Sequence, residues 1–127
     1  MIYNNELRQL LLIAIGLTFT VFAAWAAVRP ESLAKIVGYE LTNNNAYSEF
    51  HAIYVGVFIA QALLCALAYV RIQDATLGDL VALFLLGQPA ARLIAGIRRG
   101  FPTGLLRLLF IIEIIGGIVL LAVRPFA

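Results

Sequence analysis

The chain has 127 residues, 63% of them hydrophobic and 13% charged, where a soluble domain is about 45–50% apolar and about a quarter charged. That balance excludes a soluble single-domain enzyme and a disordered chain alike. The net charge of +2 is spread over segment ends rather than gathered into a basic stripe with stacking aromatics, so nucleic acid is excluded as a partner.

Residues 10–28 form a first apolar run, long enough to cross a hydrocarbon core about 30 Å thick. Arg8 before it and Ala24-Trp25-Ala26 near its end also fit a secretory signal. Glu6 in the leading segment argues against cleavage, and a retained first helix is expected. Arg29-Pro30 then ends that helix and opens a short one. Leu33, Ile36 and Val37 have i, i+3, i+4 spacing, Pro30 suits a helix start and Gly38 a stop, which predicts an amphipathic helix lying at the interface. Residues 40–45 are polar, with Asn45 the expected N-cap of the second span, residues 46–70. Cys65 within it has no partner for an internal disulfide and reads as a small buried hydrophobe. A third span covers residues 79–97 and a fourth residues 105–123, joined by short turns.

Short connections force antiparallel neighbours. The expected fold is therefore all-α and integral to the membrane: one domain, residues 1–127, built as an up-down bundle of four transmembrane helices with both termini on one side. Arg29, Lys35, Arg98 and Arg99 lie on the face opposite the termini, which tilts the positive-inside rule towards those loops being cytoplasmic.

Ionisable groups inside apolar spans are costly and mark functional-site candidates. Glu49 opens the second span, Arg92 lies inside the third and Glu113 inside the fourth. The second span starts, the third ends and the fourth starts on one membrane face, so Glu49, Arg92 and Arg107 fall within a turn or two of one depth. Glu113 lies deeper. Arg92 is expected to bridge to Glu49, Glu113 or both, because an unpaired buried charge would cost several kcal/mol. His51 and Tyr54 share another face of the second helix with Gln61. Gln88 and Arg92 share a face of the third, and Pro89 between them removes one donor and frees the carbonyl of Leu85, which Gln88 can satisfy. The ligand-binding candidates are thus Glu49, His51, Tyr54, Gln88, Arg92 and Glu113. Ala52, Gly56 and Ala60 form a small-xxx-small ridge, and Gly116-Gly117 a second thin spot, both suited to close helix packing within the bundle or between subunits.

Catalytic signatures such as GxSxG, a phosphate loop or HExxH are absent from the sequence. His51 is the single histidine, so no metal site is expected and no cofactor is implied.

Glu49-x-His51-x-x-Tyr54-x-Gly56 resembles the Glu-x-Arg-x-x-Tyr-Gly-Gly pattern of a small bacterial four-helix membrane family of unknown function, related to the DoxX-like proteins. Gly87-Gln88-Pro89-Ala90-Ala91-Arg92-Leu93-Ile94 is similar to its third-helix motif, and Glu113 falls where its fourth helix carries a glutamate. His51 stands where that family has arginine, and Val55 where it has its first glycine. The resemblance implies a multi-pass protein of the bacterial cytoplasmic membrane with a polar internal cluster, and no established activity.

Three functions fit these residues. The first is a non-enzymatic pocket for a lipid-like or small amphiphilic ligand, with Arg92 meeting an anionic or carbonyl group. The second is a structural or accessory subunit of a membrane complex or homo-oligomer, packing through the small-residue ridge. The third is a membrane isomerase-type enzyme using Glu49 or Glu113 as acid and base.

Overall fold

Asn4 starts the first helix by accepting a hydrogen bond from the Leu7 amide at 3.0 Å, satisfying one of the donors that every helix N-terminus leaves unpaired. In the computed structural model, which describes residues 1–126, helix α1 then runs Asn5–Val28. It stops because Pro30 pushes the residue before it out of the α region. Arg29 accordingly takes φ −136°, ψ 70°, and Pro30 becomes the first residue of α2, Pro30–Val37.

Gly38 ends α2 in the left-handed conformation at φ 88°, where a side chain would be strained. The face of α2 that docks differs from the expected one. Leu33 and Ala34 are buried and Val37 is half-buried, while Ile36 points outward at 46% exposure. The small Ala34 side chain lets α2 settle against Ala26 of α1 and Phe50, and that close approach turns Ile36 away.

The second span, α3, runs Asn44–Val70. Its cap is Asn43, whose side chain accepts from the Ala46 amide at 2.9 Å, rather than Asn45. Any of the three consecutive asparagines can cap, and the earliest gives the longest helix. Within α3 the segment Ala52–Val57 is π-helical, which no sequence signal announced. Helix α4, Ala75–Arg99, begins four residues before the expected start, because Asp74 caps the Thr76 amide at 3.1 Å. It continues through Pro89. Helix α5 runs Leu105–Ala122.

Four of these five helices are long and apolar enough to cross a membrane, and large apolar side chains such as Leu63, Leu83 and Ile115 cover the outer surface. That is the dress of an integral membrane protein, whose lipid-facing exterior stays apolar. Helix α1 packs on α3 and α4 on α5, with α3 against α4 and α1 closing on α5. The core has three levels. Leu12, Cys65, Val81 and Leu120 fill the end near the termini; Phe19, Ala23, Phe58 and Leu85 fill the middle; Ala26, Leu33, Ala34 and Phe50 fill the end beneath α2. A two-residue parallel pair, β1 (Ile2–Tyr3) with β2 (Val123–Arg124), ties the two ends of the chain together.

Candidate functional site

Between the middle level and α2 the four spans stand apart around a cavity. The cavity measures about 80 Å³. Its walls are apolar over most of their extent, from Ile15, Phe19 and Phe22 on α1 to Leu106, Leu109 and Ile112 on α5. Five polar side chains interrupt them: Thr18, Tyr54, Gln88, Arg92 and Glu113.

Arg92 and Glu113 form an ion pair that links α4 to α5. Glu113 is 8% exposed, whereas the Arg92 side chain keeps 23% exposure. The carboxylate is thus held in the wall and the guanidinium, with donors to spare, faces the space. Helix packing sets the pair's spacing. A Cβ on Gly117 would collide with Leu86, and one on Gly116 would sit 3.4 Å from Leu85 Cδ2, so these glycines let α5 lie close against α4 just beyond the pair.

Tyr54 belongs to the π-helical segment. Its ring stacks on Phe50 at 4.6 Å between centroids and leans on Phe58 at 5.3 Å, forming an aromatic column along the α3 side. The extra residue in a π turn changes the phase of the helix, a device frequent at functional sites. Gln88 makes no hydrogen bond among the described residues, and its side chain lines the cavity instead of returning to the Leu85 carbonyl.

The remaining sequence candidates lie elsewhere. Glu49 is exposed, lines a surface hollow with Tyr39, Leu41 and Phe50, and takes no part in the ion pairs among the described residues. Of the two partners expected for Arg92, Glu113 is therefore the one it has. Arg107 is likewise exposed and outside these pairs. His51 is half-buried, with Nδ1 2.7 Å from the Tyr47 carbonyl oxygen one turn earlier. A carbonyl only accepts, so Nδ1 carries the proton. Ala52, Gly56 and Ala60 are all exposed and face out of the bundle. Among the described residues no three His, Cys, Asp or Glu side chains converge as metal ligands would.

A second polar network sits at the opposite end of the bundle and was not foreseen. Arg8 is 1% exposed. Its Nη1 donates to the carbonyls of Leu120 at 2.9 Å and Val123 at 2.7 Å, and its Nη2 to Ala75 at 2.9 Å and to Asp79 at 3.1 Å. Asp79 also receives both terminal nitrogens of Arg124. The Asp79 hydrogen bond, with its charge, raises the Arg124 guanidinium pKa above its ordinary value. The depth argument that grouped Arg92 with Glu49 and Arg107 would have found this set as well. The start of the first span, the start of the third and the end of the fourth share one membrane face, and each carries a charge there.

A family of unknown function, DUF4345, has a model that matches residues 7–123. The chain belongs to the DUF4345 family. Neither a curated protein nor a solved structure matches it. The match to the DUF4345 model takes in Arg8, Asp79, Arg92 and Glu113 and stops one residue short of Arg124.

Proposed function

We propose that this DUF4345 protein holds a lipid-like or other small amphiphilic molecule inside its bundle. The polar end of that molecule lies against Arg92 and its apolar part among Phe19, Phe22, Leu106 and Leu109. The observation that carries this reading is the combination of one apolar cavity with one ion pair on its wall, Glu113 on the buried side and Arg92 on the open side. A guanidinium so placed offers a carboxylate, phosphate or carbonyl two parallel hydrogen bonds. Tyr54 and Gln88 add neutral donors and acceptors that fix orientation. Seen this way the protein binds rather than catalyses, in the bacterial cytoplasmic membrane, and its kinship with DoxX-like proteins rests on the helix motifs alone.

The test is native mass spectrometry of protein released gently from lipid, comparing wild type with Arg92→Leu/Glu113→Leu. Changing both residues avoids leaving Glu113 as an unpaired buried charge. Wild type should carry a bound species that the folded double variant lacks. A folded double variant that keeps the same species would overturn the reading, as would a bare wild type.

One observation favours a second reading, that of an accessory subunit. The ridge Ala52, Gly56, Ala60 faces outward, where a partner helix, from a second copy or another protein, can approach closely. A monomer by light scattering in mild detergent, at every protein concentration tried, would remove the second-copy form of it.

A further inference from the structure

Gln61 is the described side chain whose chemistry the cavity leaves unexplained. It is 5% exposed, and its Oε1 is buried with no hydrogen-bond partner among the described residues. A buried amide without a partner costs several kcal/mol in an apolar medium, and α3 places this one well inside the span. Gln61 lines a groove between α3 and α4, together with Val57, Phe84, Gly87 and Ala91. Tyr54, Phe58 and Gln88 line both this groove and the internal cavity. These three side chains therefore stand where the two spaces adjoin.

We propose that the groove is a second subsite for the same amphiphile, and that the Gln61 amide receives a hydroxyl carried part-way along the ligand's apolar chain. This rests on the reading of the cavity given above and narrows the ligand class to chains with two polar points. The antiparallel turn at residues 71–74 sets Gln61 level with Phe84. Arg92 lies eight residues further along α4, about 12 Å at the rise of an α-helix. An anionic or carbonyl head at Arg92 and a hydroxyl at Gln61 are thus separated by the middle of a long acyl or isoprenoid chain. A hydroxyl can donate to Oε1, which suits an amide whose buried oxygen has no partner among the described residues. Sites built to hydrogen-bond a hydroxyl discriminate strongly against the analogue that lacks it.

The experiment compares stearate with 10-hydroxystearate in competition for the detergent-solubilised full chain, read by native mass spectrometry. The variants are Gln61→Leu and Gln61→Glu. Wild type should prefer the hydroxy acid by about tenfold or more. Gln61→Leu should lower that preference to near unity while stearate binding persists, and Gln61→Glu, which still accepts a hydrogen bond, should retain part of it. Equal binding of the two acids by wild type, or a preference that survives Gln61→Leu, overturns the subsite and leaves the cavity reading standing. Failure of both acids to bind the wild type overturns both.

Discussion

Replacing Arg8 by methionine should be among the most damaging single changes in the chain. Methionine keeps an unbranched stem of similar reach and so preserves most of the packing. The guanidinium's hydrogen bonds to Leu120, Val123, Ala75 and Asp79 vanish. A buried acceptor left without a donor costs about 1–3 kcal/mol, and three carbonyls are affected. Water at the bundle end can reach some of them, and Asp79 keeps Arg124 as a partner, so the loss is not the full sum. Breaking a buried charge network typically costs about 3–5 kcal/mol, which is the expected range. The assay is reversible unfolding in mixed SDS–maltoside micelles followed by far-UV circular dichroism. A second arm isolates the guanidinium. A Cβ at Gly78 would overlap Arg8 Nη2 and lie 2.8 Å from Cζ and 2.9 Å from Nε. Gly78→Ala should therefore destabilise wild type by about 1–3 kcal/mol, as overpacking does, and be near neutral in the Arg8→Met background. A loss below about 1 kcal/mol for Arg8→Met, at the low end of the cost of a single unmet acceptor, would refute the reasoning, as would additive effects in the cycle.

Arg92→Leu alone should cost about 3–5 kcal/mol, because it strands Glu113, while Arg92→Leu/Glu113→Leu should unfold close to wild type; the same micelle titration reads both. Gly117→Ala should destabilise by about 1–3 kcal/mol through its collision with Leu86, whereas Gly116→Ala, whose Cβ meets Leu85 Cδ2 at 3.4 Å, should be tolerated; thermal melts of the pair check this. Glu31 should make the docking of α2 pH-dependent. A backbone hydrogen bond and the Tyr47 hydroxyl, 2.8 Å away, hold its carboxyl below the ordinary value of 4.5. The depressed pKa means this contribution is complete above 4.5 and is lost as pH falls through the lowered value. Amide exchange in α2 should then quicken on acidification relative to exchange in α1, and Tyr47→Phe should weaken that dependence.

The bundle was legible because its strongest signals are written locally: long apolar runs, Pro30 at a helix start, Gly38 at a stop. The Arg92–Glu113 pair was legible because two charges inside spans leave few alternatives. Other features depend on phase and neighbours. Glu49 opens α3 on a face that turns away from Arg92, and the π turn that follows has no composition of its own. Ile36 fits the apolar period of α2 but yields to Ala34, since closeness of approach outweighed side-chain size. Arg8 looked like a charge marking a membrane boundary. Its burial depends on carbonyls more than a hundred residues away, which no window on the sequence brings together.

That separation has a consequence for how the protein is made. Arg8 lies in the first of the four spans to be made, but two of its acceptors, Leu120 and Val123, lie in and just after the fourth. Until they emerge, the guanidinium lacks two of its four hydrogen bonds and is better served by water than by the bilayer interior. The first helix must therefore wait with its leading turn at the membrane surface. It settles only when residues 120–126 arrive, with Asn4 donating its amide to Arg124 and Asn5 receiving that of Phe126. The bundle therefore closes on arrival of the fourth span rather than helix by helix. A nascent protein stalled before Leu120 would hold three inserted spans and an open ring, exposed to membrane quality control for as long as synthesis is delayed.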